Sequence, residues 1–298
     1  MYRSILVPLD GSPFAEHALP LAASIARRGS AILHLVHVHG LASAHAVDLM
    51  PHPDDAEQRA SALAYLDELA LRVSGDGAIP ISTVLLDAPL VHALHSYAAT
   101  HAVDLTVMTT HGRGALSRLW LGSVADRLIR QSAAPVLVVH PQTVATEEQI
   151  APAFKHMLIP LDGSALAEQI LPHALALGSL MQTDYTLLQV AELALASTEL
   201  YGSEFDRSVQ ERVCGRAQHY LDHLAEPLCS EGFNVRTEVA IGWPAQHILD
   251  YARGHGVDAI ALATHGHGGL ARLLLGSVSD KVIRGASVPV LLYRPRES

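Results

Sequence analysis

A chain of 298 residues has room for two domains of ordinary size, and its 49% hydrophobic, 17% charged and 5% aromatic content is that of an α/β protein with aliphatic strands rather than a disordered segment. Its formal net charge of −10, from 20 basic and 30 acidic residues, argues against nonspecific attraction to nucleic acid or an anionic membrane. No apolar run reaches the roughly 18 residues that suggest a membrane span, and Met1-Tyr2-Arg3 enters a strand with no signal-peptide pattern, so a cytoplasmic protein is expected.

Taken in order, Ser4 to Leu9 is a short apolar run closed by Asp10-Gly11-Ser12, which reads as a buried strand ending in a loop. Ser12-Pro13 predicts the start of a helix running to about Arg28 and stopped by Gly29, because serine accepts a backbone N–H and proline lacks the N–H that would go unpaired there. Ala31 to Val38 follows as a strand, Gly40 to Pro53 as a loop, Asp54 to Val73 as a long helix and Ile79 to Leu86 as a third strand. Pro89 to Thr100 reads as helix, Asp104 to Thr109 as strand, Ser123 to Gln131 as helix, and Pro135 to Val139 as the last strand of this series.

The whole series then recurs. Ile5-Leu6-Val7-Pro8-Leu9-Asp10-Gly11-Ser12 returns as Met157-Leu158-Ile159-Pro160-Leu161-Asp162-Gly163-Ser164, 152 positions later. Thr110-His111-Gly112 through Gly122-Ser123 returns as Thr264-His265-Gly266 through Gly276-Ser277, 154 positions later. A repeat of this length is a domain. Strands and helices that alternate, with connections too long for hairpins, imply parallel pairing through right-handed crossovers. The expectation is an α/β protein of two tandem doubly wound domains, residues 1–141 and 154–298, each a five-stranded parallel sheet with helices on both faces. Gln142 to Ala153, polar and then proline-bearing, reads as the linker. Cys214 and Cys229 both lie in the second half, so they form no disulfide framework between the halves.

In an open parallel sheet, ligands sit beyond the carboxyl ends of the strands where strand order reverses. Asp10-Gly11-Ser12 and Thr109-Thr110-His111-Gly112 are both at such ends and should be neighbours. Gly122-Ser123 at a helix start offers unpaired N–H groups, a positive dipole end and a hydroxyl, the outline of a phosphate site. The bland reading is that Ser123 with Asp126, and Ser277 with Asp280, approximate capping boxes, and one serine can serve both ends. Asp10 and Asp162 have their own bland reading as turn residues.

Gly112, nine residues, then Gly122-Ser123, and Gly266, nine residues, then Gly276-Ser277, together with Val7-Pro8-Leu9-Asp10-Gly11-Ser12 and the closing Pro135-Val136-Leu137-Val138-Val139 and Pro289-Val290-Leu291-Leu292, resemble the universal stress protein family over nearly the whole chain. Nucleotide-binding members carry Gly-x2-Gly-x9-Gly-Ser/Thr, and this chain departs from it at the first glycine, which is Thr109 in one half and Ala263 in the other. There a Cβ would crowd a ligand that needs the backbone close.

The resemblance implies ATP or another adenine nucleotide, with or without magnesium. It places Pro8, Leu9, Val38 and Met108 around adenine, and Asp10 on the ribose hydroxyls or a metal ion. Thr109, His111 and Gly112 would border ribose and phosphates, while Gly122, Ser123, Val124 and Ala125 present N–H groups and a hydroxyl. The second set is Pro160, Leu161, Asp162, Val190, Leu262, Ala263, His265, Gly266, Gly276, Ser277, Val278 and Ser279. By type alone Val38 and Met108 are core residues, and His111 and His265 have no evident paired nucleophile.

Neither a Gly-x4-Gly-Lys-Ser/Thr loop nor a dinucleotide fingerprint is present, so no catalytic residue is assigned and any ATP hydrolysis is expected to be slow. The 19 histidines raise a metal site, with His34, His37 and His39 the densest group, but alternation along a strand turns His34 away from the other two and no metal site is expected. Three functions remain open on these residues: a nucleotide-dependent sensor or regulator of the stress response acting on an unidentified protein partner, a slow ATPase or adenylyl-transferring enzyme, and a nucleotide-free interaction module. The resemblance also implies that the halves pair internally through Val136 to Val139 and Val290 to Tyr293 as a pseudo-dimer, with further homodimerisation undecided.

Overall fold

The computed structural model describes residues 2–39, 55–75, 79–87, 89–110, 121–140, 153–191, 203–264 and 275–295. The chain divides into two compact units, Met1–Ala153 and Phe154–Ser298. In the first, β1 (Ser4–Leu9), α1 (Pro13–Glu16), α2 (Leu19–Gly29), β2 (Ile32–His39), α3 (Asp55–Ser74), β3 (Ile81–Asp87), α4 (Leu90–Thr100), β4 (Leu105–Thr109), α5 (Ser123–Gln131) and β5 (Val136–Val139) follow one another. The second repeats them as β6 (His156–Pro160), α6 (Ala165–Glu168), α7 (Leu171–Ser179), β7 (Asp184–Ala191), α8 (Ser203–Ser230), β8 (Val235–Ile241), α9 (Pro244–Gly254), β9 (Ala259–Ala263), α10 (Ser277–Gly285) and β10 (Val290–Tyr293).

The strands of unit 1 lie in the order β3-β2-β1-β4-β5, all parallel, and those of unit 2 in the order β8-β7-β6-β9-β10. Each unit is therefore the doubly wound sheet expected from the alternation of elements. Order reverses between β1 and β4, and between β6 and β9. The central strands are covered on both faces, which is why Ile5, Val7, Leu33, Leu35, Leu105, Val107 and Leu137, and in the repeat Met157, Ile159, Leu187, Ala259, Ala261 and Leu291, are fully buried. Right-handed crossovers put α1, α2 and α3 on one face and α4 and α5 on the other. Side chains of β2 show the division: His37 packs edge-on against Tyr65 of α3 and His39 bonds Asp55 of the same helix, whereas His34 meets Tyr97 of α4.

Two local expectations are corrected. The helix expected over Pro13 to Arg28 is two helices, and Pro20 is the reason: at the second position of α2 it has no N–H to give to the preceding turn, and its ring crowds the carbonyl four residues back. Pro172 divides α6 from α7 in the same way. Gly29 does not end α2 by adopting a left-handed conformation; Ser30 does so, at φ 51°, with its N–H bonded to the Ala26 carbonyl. The loop at Gly40 to Pro53 and the linker Gln142 to Ala153 fall outside the described residues except for Ala153.

At the amino end of each sheet an imidazole and a hydroxyl are paired across the first two strands, with their positions exchanged. Ser4 Oγ lies 3.1 Å from His34 Nε2 in unit 1, while His156 Nε2 lies 2.9 Å from Thr186 Oγ1 in unit 2. Asp104 accepts from the backbone N–H groups of Arg3 and Ser4, as Asp258 accepts from those of Lys155 and His156. Tyr97 stacks on His101, and Tyr251 on His255, each at 3.9 Å.

His34 is buried, and burial first, then the neighbouring His101, lower its pKa from the ordinary histidine value. A histidine whose pKa is lower in the folded chain binds its proton more readily when unfolded, so stability is full above about pH 6.5 and is lost as pH falls below it. Melting temperatures measured from pH 7.5 down to 5.5 are expected to drop, and to drop less steeply in His34→Gln.

Candidate functional site

The carboxyl end of β1 is built around one carboxylate oxygen. Asp10 Oδ1 accepts from the Ser12 backbone N–H at 2.9 Å and from its hydroxyl at 2.6 Å, and Ser12 Oγ accepts in turn from Ala15 N–H at 3.3 Å. Gly11, at φ 78°, permits the reversal. Unit 2 reproduces the arrangement: Asp162 Oδ1 accepts from Ser164 N–H at 3.0 Å and Oγ at 2.6 Å, Ser164 Oγ accepts from Ala167 N–H at 3.1 Å, and Gly163 has φ 84°. The aspartates are thus turn residues, as their bland reading held. The same bonds fix each carboxylate at the end of the strand where order reverses, with a first helical turn capped beside it.

The second loop is closed by backbone contact. Gly122 N–H donates to the Thr110 carbonyl at 2.8 Å and Gly276 N–H to the Thr264 carbonyl at 2.9 Å, while Thr110 and Thr264 donate to Val139 and Tyr293. The start of α5, and of α10, is thereby tied to the end of the strand beside β1 or β6. A Cβ on Gly276 would lie 2.7 Å from that Thr264 carbonyl oxygen, closer than real contacts come, so the approach requires glycine.

The capping-box reading is overturned. Gly122 and Gly276 occupy the N-cap positions and neither helix has a side-chain cap. Ser123 and Ser277 are instead the first helical residues, and both are exposed. Asp126 and Asp280 do not reach back to the helix start; they pair one turn on with Arg130 and Arg284, at 2.7 and 2.8 Å, a geometry in which the side chain runs along the helix surface. The first-turn N–H groups have no acceptor within their own helix, and a serine hydroxyl stands beside them in each unit.

Pro8 and Val38 are half-buried and Leu9, Met108 and Thr109 buried, as are Leu161, Leu262 and Ala263 in unit 2, with Pro160 and Val190 half-buried. Val124 and Val278 are half-buried in the first turn of their helices, and Ala125 is buried. Ser279 is also buried, and its hydroxyl donates to the Ala263 carbonyl at 3.0 Å, so it braces the strand end and leaves only its backbone for a ligand. His111, Gly112, His265 and Gly266 lie outside the described residues. Among the described residues, no group of three or more His, Cys, Asp and Glu side chains is disposed to hold a metal ion, and no helix is long and apolar enough to cross a membrane.

Ser12 is read from sequence only as a helix cap, and Ser164, Thr110 and Thr264 are given no part of their own there, although the structure sets all four in these strand-end contacts. Their signal was present in the repeat itself, since Asp-Gly-Ser and Thr-His-Gly recur whole.

Two doubly wound units, each with an aspartate turn and a helix start without a side-chain cap at the strand ends where order reverses, define a tandem α/β protein. The Universal stress protein family model matches residues 1–140 and again 153–294, so the chain belongs to that family. Universal stress protein Rv2005c of Mycobacterium tuberculosis is 27% identical over 307 residues, covering 98% of this chain and 97% of its own. Universal stress protein YxiE of Bacillus subtilis is 31% identical over 147 residues, 47% of this chain and 99% of its own. A crystal structure of a universal stress protein from Archaeoglobus fulgidus covers 98% of each chain with a TM-score of 0.73 at 20% identity, a likeness of fold.

Replacing Gly276 with Ala is expected to destabilise the chain by about 1–3 kcal/mol, because the new Cβ forces apart two backbones rather than a flexible side chain. Denaturant melts of the variant and the parent measure the difference.

Proposed function

We propose that both units bind an adenine nucleotide, ATP with or without magnesium, and that the protein is a stress-response sensor or regulator whose nucleotide occupancy alters the surface it offers a protein partner. The observation that carries this reading is the closure of each glycine N-cap onto the neighbouring strand end with the following serine left uncapped. That geometry presents first-turn N–H groups and a hydroxyl to phosphate oxygens, with the helix dipole favouring their charge. The binding domains are proposed as residues 1–141 and 154–298.

In unit 1, Ser123, Val124 and Ala125 would donate to phosphate oxygens beside Gly122, His111 and Gly112 would border them, and Asp10 would accept from the ribose hydroxyls. Pro8, Leu9, Val38 and Met108 would frame the base. Asp162, Gly276, Ser277, Val278 and Ser279, with Pro160, Leu161, Val190, Leu262, His265 and Gly266, would play the same parts in unit 2. Thr109 and Ala263 are 6% and 8% exposed, so the side chains standing where nucleotide-binding members have glycine are taken up by packing, which supports binding in spite of them. The tandem family match supports an internal pseudo-dimer, and the absence of a membrane-length helix among the described residues is compatible with a cytoplasmic protein.

Melting in ATP and magnesium tests the reading. A nucleotide at about 100 times its dissociation constant should add about 2.7 kcal/mol. Native mass spectrometry should find two nucleotides per parent chain and one in Gly276→Ala, while Asp10→Ala with Asp162→Ala should reduce the melting shift. A parent chain that neither shifts nor carries nucleotide refutes the proposal.

A further inference from the structure

Unit 2 contains a second concavity on the opposite face of its sheet. In β7, Gln189 and Ala191 alternate with Val190, so the first two face α8 while Val190 faces the side of α9 and α10, where the nucleotide cleft is proposed. Gln189, Ala191, Arg216, Ala217 and Tyr220 line a cavity of about 360 Å³, closed at one end by Asp162 and Gly163. That volume is in the range of sites for single small metabolites.

Its polar groups are distributed in a way that specifies a ligand. Gln189 Oε1 is buried and has no hydrogen-bond partner among the described residues, a state that costs a buried acceptor about 1–3 kcal/mol. Arg216, on the α8 wall, is exposed and makes no ion pair with another of the described residues. Asp162 contributes a carboxylate, which accepts several hydrogen bonds and uses Oδ1 for Ser164. The Tyr220 hydroxyl is directed away to Glu168, at 3.0 Å. The cavity therefore offers one cation on one wall and two acceptors, one charged and one neutral.

The corresponding positions of unit 1 carry different side chains. Tyr65 bonds Glu16 as Tyr220 bonds Glu168, which aligns the two helices and puts Ser61 where unit 2 has Arg216. His37 and His39 stand where unit 2 has Gln189 and Ala191; the first packs against Tyr65 and the second reaches Asp55 at 2.7 Å. Imidazoles and a helix contact occupy in one copy the space that an amide and an alanine leave in the other.

We propose that this cavity is a binding site for a free α-amino acid, whose carboxylate pairs with Arg216 and whose ammonium group donates to Gln189 Oε1 and Asp162. A zwitterion sets its ammonium on the buried Gln189 acceptor and its carboxylate on the arginine, whereas a simple anion leaves the buried acceptor unpaired and a simple amine makes no use of the cation. The site is inferred without the nucleotide reading, but the two ligands would share the Asp162 carboxylate.

Calorimetric titration of the full chain with each of the common amino acids, beside acetate and methylamine, is the test. At least one amino acid is expected to bind, and neither control to do so. Arg216→Ala should weaken binding by about tenfold or more, as loss of a charge-assisted bond does. Ala191→His, which installs the residue that unit 1 already carries, should abolish it. Circular dichroism and the ATP-induced melting shift report whether each variant is folded. Failure of every amino acid to bind at millimolar concentration, equal binding of acetate or methylamine, or unchanged affinity in both folded variants overturns the proposal.

Discussion

The contact between a glycine N–H and the carbonyl just past the end of the neighbouring strand organises the carboxyl end of each unit's sheet. Gly122 on Thr110 and Gly276 on Thr264 bring a helix start down onto the strand beside the first strand of the sheet, and at Gly276 the approach leaves no room for a side-chain carbon. The aspartate turn and the helix start come from segments about a hundred residues apart. Only the parallel sheet, by setting β4 next to β1 and β9 next to β6, makes them neighbours.

The duplication has preserved some parts and let others diverge. The Asp-Gly-Ser turn, the glycine closure and the acid-arginine pairs on α5 and α10 are the same in both units. At the amino end of the sheet the pairing of imidazole with hydroxyl is kept while the residues trade places, so the hydrogen bond is retained and the strand that supplies the imidazole is not. On the outer face of β2 and β7 the copies part company: histidines committed to α3 in one, an amide and a small side chain beside an arginine in the other.

Much of the fold was legible because its signals are local. Buried parallel strands are short aliphatic runs, and β1, α5 and their repeats could be bounded by the Asp-Gly and Gly-Ser steps at their ends. The division of the first helix by Pro20 was not read, because Ser12-Pro13 announced a start so clearly that a second proline seven residues on was absorbed into the same helix. The serine after each glycine was equally ambiguous. A capping box and a helix that begins one residue earlier contain the same letters, and the choice depends on whether the aspartate finds the backbone behind it or the arginine ahead of it.

By itself the sequence determined that there are two copies of one α/β unit, which loops they share and to which family they belong, since a repeat and a motif are properties of order along the chain. Tertiary structure decided what those residues do for one another. It turned Ser123 and Ser277 from caps into exposed first-turn residues, gave Ser279 to the strand end, and split Gln189 from Val190 onto opposite faces of a sheet. Those outcomes depend on distances between segments far apart in sequence, and on a backbone approach that a missing Cβ allows, neither of which any local pattern encodes.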